Sequence, residues 1–115
     1  MPKTWIFDLD GTLLRHNGYK EGGDILLPGV KELFAQIPEE DYIIILTARA
    51  DEVMEETEEF LLKNGIRYNS ILNNIPFGER ILFNDRKPSG LDMAYAVNQD
   101  RDRGCDVKIR IDDKL

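Results

Sequence analysis

The sequence is poor in several residues on which common classes of protein depend. Its 115 residues include a single cysteine, Cys105, so no disulfide can form within the chain and a reducing compartment is favoured. Its single histidine, His16, lies in a polar stretch without a metal-binding pattern, and we predict a surface side chain. No apolar run has the length of a membrane span, and the first residues lack the pattern of a secretory signal. We therefore expect a cytoplasmic protein with no membrane partner.

Positive charge is also scarce. The 22 acidic residues outnumber the 15 lysines and arginines, which gives a formal net charge of −7. Proteins that bind nucleic acids usually carry a basic patch, so this composition disfavours a nucleic acid as partner. It does not exclude a small phosphorylated substrate, because one metal ion and a few local donors can reverse the local field.

The apolar pattern predicts strands and helices in alternation within one domain, residues 1–115. Continuous apolar runs predict strands at 4–8, 42–46 and 80–84, with weaker strands at 67–73, 93–98 and 107–111. Helical periodicity predicts helices at 28–37 and 50–63. Such alternation is typical of an α/β protein with a mainly parallel sheet and helices on its faces.

Three of the predicted strands end in residues with useful chemistry. Asp8 ends the first strand, Thr47 follows the second, and Asp85 follows the strand at 80–84. The carboxyl ends of parallel strands share one edge of the sheet, where ligands bind. A carboxylate at that edge can attack phosphorus, provided that a hard cation such as Mg²⁺ offsets the charge of the phosphate. Asp10, next to the nucleophile, could then protonate the leaving group and activate water.

The stretch "DLDGTLL" after an apolar strand, together with "LTAR" after a second one, resembles the haloacid dehalogenase-like (HAD) phosphatase superfamily. The resemblance implies that Asp8 is the nucleophile and a Mg²⁺ ligand through its side chain. It implies that Asp10 is the general acid and base and binds Mg²⁺ through its main-chain carbonyl. The phosphoryl group would be bound by Thr47, helped by backbone N–H groups near Leu9 and Ala48.

The sequence departs from the family pattern in its later motifs. The fourth motif often has two adjacent acids and here reads Asn84-Asp85, which leaves Asp85 as the acidic metal ligand. The third motif normally supplies a lysine, and the stretch "NNIPFGER" contains none. We predict that Lys87 replaces it as the phosphate-binding cation, with Arg49 and Arg80 as the other candidates. Arg80 begins the predicted strand at 80–84, so we expect it at the opposite edge of the sheet.

The spacing of the motifs favours the subclass without a cap domain. Only the short segment 13–27 separates the first motif from the next helix. The resemblance therefore implies a Rossmann-like, three-layer α/β/α core whose site is open to a phosphorylated macromolecule or is closed by a second copy of the chain. The stretches "LLPGVKELF" and "NDRKPSG" also resemble small phosphatases of sugar-nucleotide and surface-polysaccharide pathways, so we expect a phosphorylated sugar as substrate.

Two other functions compete with a Mg²⁺-dependent phosphatase. The missing third-motif lysine favours a catalytically silent binding or regulatory module with the same fold. A response-regulator receiver domain also uses an aspartyl-phosphate on a parallel sheet. Its phosphoacceptor should follow the third strand, however, whereas the acidic pair here follows the first strand.

Overall fold

The computed structural model describes residues 1–105, so the strand predicted at 107–111 lies outside the described residues. Within this range, no helix has the length and apolar character needed to cross a membrane. Two short 3₁₀ turns, Gly18–Lys20 and Asp51–Val53, interrupt the loops. The regular elements are, in chain order, β1 (Thr4–Asp8), α1 (Val30–Gln36), β2 (Tyr42–Leu46), α2 (Met54–Lys63) and β3 (Ser70–Leu72).

The three strands form a parallel sheet in the order β1-β2-β3. Thr4 pairs with Tyr42 and Asp8 with Leu46, so the carboxyl ends of β1 and β2 are level with each other. Helices α1 and α2 make the two crossovers, as parallel strands require. The predicted α/β class and parallel sheet are confirmed, and the alternation of elements is consistent with a Rossmann-like fold.

The core lies between one face of the sheet and the two helices. Side chains alternate along each strand, so Phe7, Ile43 and Ile45 all point to this face and are buried. Both helices contribute to the same apolar cluster, and the ring of Phe34 in α1 lies 4.7 Å from that of Phe7. Each fully buried aliphatic or aromatic side chain stabilises the fold by about 1.5–3 kcal/mol.

The opposite face of the sheet is largely uncovered by residues 1–105. Ile6, Tyr42 and Leu72, one from each strand, are all about half exposed. Two layers are therefore present in the part of the chain that the structure describes, and the predicted third layer and the absence of a cap remain predictions.

The prediction of strands at 80–84 and 93–98 is wrong: the structure has no strand at either place. Their apolar side chains point to solvent, and Phe83 is 92% exposed. The backbone hydrogen bonds of this region close a turn, from the N–H of Lys87 to the carbonyl of Leu91 and from the N–H of Gly90 to that of Lys87. An apolar run indicates a preference for burial, but a strand also needs a neighbour for its backbone groups.

Asp41, which directly precedes β2, ties β2 to β1 at the amino edge of the sheet. Its buried carboxylate accepts hydrogen bonds from the indole N–H of Trp5 at 2.9 Å and from the backbone N–H of Lys3 at 3.0 Å. Burial raises the pKa of Asp41, but these two hydrogen bonds and the positive charges of Lys3 and Arg67 outweigh it, so the net pKa is lowered. Folding therefore favours the ionised form of this carboxyl group.

Replacement of Asp41 by asparagine should lower the free energy of unfolding by about 1–3 kcal/mol at neutral pH, because a charged acceptor is lost. The folded pKa lies below the ordinary value of 3.8, so the contribution of Asp41 is complete above that pH and is lost as the pH falls through the folded pKa. Urea unfolding of the parent and Asp41→Asn at pH 7 and pH 3 measures this difference. A difference that stays constant between the two pH values would contradict the assignment.

Candidate active site

The residue between the two aspartates explains why both carboxylates reach the same edge. Leu9 is fully buried, and its carbonyl accepts the N–H of Leu13 at 2.9 Å, so the chain folds back at once after β1. Gly11 makes the turn with a φ of 85°, a backbone conformation that glycine adopts without steric cost. With Leu9 pointing into the core, its neighbours Asp8 and Asp10 both lie outside it, at the carboxyl end of the strand.

Asp8 is the more accessible of the two carboxylates. Its Oδ2 accepts the hydroxyl of Thr12 at 2.9 Å, and its Oδ1 accepts a guanidinium N–H of Arg80 at 2.9 Å. The side chains of Asp8 and Arg80 are 37% and 39% exposed, so solvent weakens this ion pair. A substrate can therefore approach the Asp8 carboxylate from solvent.

Thr47 joins the end of β2 to Asp10. It is buried, and its backbone N–H donates to the carbonyl of Leu72 in β3, which holds the residue beside the sheet. Its hydroxyl accepts the backbone N–H of Arg49 at 3.1 Å and donates to Oδ2 of Asp10 at 3.3 Å. The predicted meeting of residues at the ends of the first two strands is thus present in the structure.

Arg49 is the centre of a buried polar network behind Asp10. One of its terminal nitrogens donates to Asp10 at 2.8 Å and to Asp24 at 2.7 Å, and the other donates to Asp24 at 2.9 Å and to the hydroxyl of Thr57 at 2.8 Å. The ring of Tyr19 lies 4.1 Å from the guanidinium carbon, a cation–π contact. The arginine side chain is 1% exposed, so every donor needs these partners.

The electrostatics of this network keep Arg49 charged. Burial lowers the pKa of Arg49, but the hydrogen bonds to Asp24 and Asp10 and the charges of these carboxylates outweigh it, so the net pKa is raised. The guanidinium in turn holds the Asp10 carboxylate in one orientation through donors at 2.8 and 3.2 Å. Arg49 therefore fixes the orientation of the Asp10 side chain from its buried side.

The structure also corrects the expected position of Arg80. The sequence predicts that this residue lies at the opposite edge of the sheet, because it begins a predicted strand. Since no strand forms at 80–84, sheet geometry does not set its direction, and its side chain contacts Asp8 at the carboxyl edge. The cation nearest to the predicted nucleophile is thus an arginine that precedes the predicted fourth motif.

Lys87 and Asp85 are not brought to Asp8 in the described structure. Among residues 1–105, no hydrogen bond or ion pair joins Lys87 to Asp8 or Asp10, and its backbone belongs to the turn with Leu91. Asp85 is exposed and lies in a shallow depression with Arg86. The predicted trio of metal ligands is therefore not assembled in this arrangement.

A polar concavity of about 250 Å³ opens beside the two aspartates. Ala48 lies half-buried between Thr47 and Arg49 at the same edge. Sequence reasoning missed Gln99 and Arg101, because they belong to no recognised motif. The residues lining the concavity are Asp8, Asp10, Gly11, Thr12, Gln99 and Arg101.

The concavity suits a divalent cation that keeps part of its water shell better than one that is coordinated by protein side chains alone. Within residues 1–105, no three acidic, histidine or cysteine side chains converge as a metal cluster. Mg²⁺ usually keeps several waters and uses one or two carboxylates together with oxygen atoms of the substrate. The partly exposed Asp8 carboxylate fits this description, whereas the Asp10 side chain is committed to Arg49 and leaves only the main chain of Asp10 for the metal.

No protein-family model matches the chain, and no curated protein matches it. Two solved structures are similar. A chain of the Pnkp1/Rnl/Hen1 complex is 28% identical with a TM-score of 0.54, and the match covers 70% of this chain and 31% of that one. A chain of the Pnkp1/Rnl/Hen1 RNA repair complex is 32% identical with a TM-score of 0.55, over 70% of this chain and 28% of the other. The present chain thus spans less than a third of each neighbour's length.

Replacement of Arg49 by methionine should lower the free energy of unfolding by about 3–5 kcal/mol, because Asp10 and Asp24 would then face each other without their shared cation. Arg49→Lys should restore only part of the loss, since an ammonium lacks the fork that reaches several partners at once. Urea unfolding at neutral pH measures both.

The control for this experiment is Arg80→Ala, which removes a partly exposed ion pair and should change stability by less than about 1 kcal/mol. If the Arg49 and Arg80 variants lose equal amounts of unfolding free energy, the buried network contributes no more to stability than the exposed ion pair.

Proposed function

We propose that this chain is a HAD-like, Mg²⁺-dependent phosphomonoesterase that acts through an aspartyl-phosphate on Asp8. The observation that carries the proposal is the pair Asp8 and Asp10 in one polar concavity, with Thr47 and two arginines on these carboxylates. Similarity to chains of an RNA repair complex supports a phosphoesterase-like role. Residues 1–105 contain side chains that such a reaction would use: an accessible carboxylate, a second carboxyl group beside it and an arginine in contact with the first.

Asp8 performs the first step because its carboxylate is accessible. A carboxylate oxygen attacks phosphorus, the ester P–O bond breaks, and its electron pair leaves with the alcohol oxygen. That oxygen takes a proton from the carboxyl group of Asp10. In the second step, water attacks the phosphorus of the aspartyl-phosphate and gives its proton back to Asp10. The P–O bond to Asp8 then breaks, which releases inorganic phosphate and restores both side chains.

Asp10 can serve both steps only if its carboxyl group stays in one place. Arg49 and Thr47 hold it from behind, and the same arginine ties it to Asp24 in the loop at 14–27. A carboxyl group that is already oriented loses little freedom when the substrate binds. The buried network therefore acts on catalysis through Asp10 and not through contact with the phosphate.

Positive charge at the nucleophile comes from Arg80 and from a metal ion. The arginine contacts Asp8 directly and would stabilise the charge that develops on the transferring phosphoryl group. When bound, Mg²⁺ supplies Lewis-acid charge that offsets the anionic substrate. Asp8 and the main chain of Asp10 would hold it, whereas Asp85, the further ligand that the resemblance implies, lies outside the concavity.

The substrate that we favour is a small phosphate monoester, a phosphorylated sugar in the first place. A concavity of about 250 Å³ and the acidic composition both suit a small ligand. The neighbours come from an RNA repair complex, so a phosphorylated RNA end belongs in the same substrate panel. Hydrolysis confined to RNA ends would replace the sugar phosphate as substrate and leave the phosphatase proposal in place.

The parent protein with Mg²⁺ should hydrolyse p-nitrophenyl phosphate, and Asp8→Asn should lose this turnover, because the attacking carboxylate is gone. The variant should keep the parent's urea midpoint, since Asp8 is partly exposed at a strand end. Asp92→Asn is the matched control, an exposed aspartate outside the concavity, and should keep full activity. An Asp8→Asn protein that turns over at the parent rate would rule out the aspartyl-phosphate.

Arg80→Ala should lower kcat by about a hundredfold, because it removes a cation aimed at the reacting group. Lys87→Ala is the matched comparison, since the sequence favours this residue and the structure places it in a turn. Steady-state kinetics on p-nitrophenyl phosphate decide between them. If Lys87→Ala is inactive and Arg80→Ala is not, the cation predicted from the sequence is the right one.

The silent regulatory module remains the second candidate function, and the missing third-motif lysine is the observation that favours it. A parent protein that binds Mg²⁺ but hydrolyses no ester of a broad phosphoester panel would establish that function instead.

A further inference from the structure

The last described segment, residues 99–105, crosses the loops that follow β1, and we refer to it as the C-terminal strap. The backbone N–H of Asp102 donates to the carbonyl of Gly11 at 2.9 Å. The side chain of Asp102 accepts the backbone N–H of His16 at 2.7 Å. These bonds hold the strap against the turn that carries Asp8 and Asp10.

Two glycines fix the far end of the C-terminal strap. Cys105 donates its backbone N–H to the carbonyl of Pro28 at 3.0 Å, at the start of α1. A Cβ on Gly29 would lie 2.1 Å from the carbonyl oxygen of Cys105, and one on Gly104 would lie 2.0 Å from that of Pro28. A side chain at either position would clash with backbone atoms, so the two glycines allow the strap to lie directly against the start of α1.

The position of the strap brings Arg101 to the concavity. The Arg101 side chain lies against Gly11: a Cβ added to Gly11 would be 3.2 Å from the Cγ of Arg101. Arg101 and Gln99 line the concavity beside Asp8 and Asp10. No hydrogen bond or ion pair joins the Arg101 side chain to another residue within the described range 1–105. Arg101 therefore differs from the arginines at 49 and 80, whose guanidinium groups are paired with the aspartates.

We propose that Arg101 binds a second anionic group of the substrate, a phosphate on the leaving-group side of the scissile ester. The inference rests on the proposed phosphomonoesterase function and names its substrate class, a small phosphate ester that carries a second phosphate. The guanidinium of Arg80 is already paired with Asp8, the proposed nucleophile. The guanidinium of Arg101, which has no hydrogen-bond or ion-pair partner among residues 1–105, has donors in a planar fork that matches a further phosphate.

Binding tests this assignment without turnover. The protein to use is full-length Asp8→Asn with Mg²⁺, and the measurement is calorimetry. Glucose 1,6-bisphosphate should bind at least about tenfold more tightly than glucose 1-phosphate, because one charge-assisted hydrogen bond contributes a free energy of this size. Adding Arg101→Ala should remove that preference, and Arg101→Lys should restore part of it. Arg103→Ala removes an equal charge from the strap outside the concavity and should keep the full preference.

Turnover provides an independent readout. In the otherwise unchanged protein, Arg101→Ala should raise KM for glucose 1,6-bisphosphate about tenfold more than KM for glucose 1-phosphate, with the Arg103→Ala values close to those of the parent. Equal behaviour of the Arg101 and Arg103 variants in both assays would overturn the assignment and leave Arg101 as a solvated surface residue.

The two proposals fail in distinguishable ways. A parent protein that hydrolyses nothing yet prefers the bisphosphate through Arg101 would refute the phosphatase and retain the anion subsite. A parent that hydrolyses phosphate esters without a preference dependent on Arg101 would refute the subsite alone.

Discussion

The buried guanidinium of Arg49 is the interaction on which the site depends. Burying a charge is costly unless its partners replace water, and here two carboxylates, a hydroxyl and an aromatic face do so. The partners come from the turn after β1, from the loop at 14–27 and from α2. One side chain thus joins three separate parts of the chain behind Asp10, and the loop at 14–27 becomes part of the site.

The first half of the fold could be predicted from the sequence because its elements are local and strongly patterned. The runs at 4–8 and 42–46 are apolar and β-branched, and the periodic stretch after Pro28 forms α1 as expected. The segment 80–84 has an equally apolar pattern but no strand pairing in the described structure. An apolar pattern indicates that a segment prefers to be buried. Strand pairing also depends on a neighbouring strand, which the sequence of one segment does not reveal.

The candidate site was predictable where its residues lie at strand ends and not where they lie in loops. Asp8, Asp10 and Thr47 stand at strand ends, and strand order brings them to one edge. Tertiary contacts between loops decide the other positions, such as Asp24 under Arg49 and Arg101 beside Gly11. No periodicity or spacing encodes such contacts, because polar loop residues are interchangeable in pattern and become distinct only when the chain closes.

The wide sequence separations at the site determine the order in which its contacts can form during translation. Asp8 and Arg80 are 72 positions apart, and His16 and Asp102 are 86 positions apart. During translation, β1, α1 and β2 leave the ribosome well before either partner exists, so the apolar core can collapse while the aspartates are still without their distal arginine and strap. A nascent or truncated chain that ends before this region holds the acidic pair without Arg80 and without the strap.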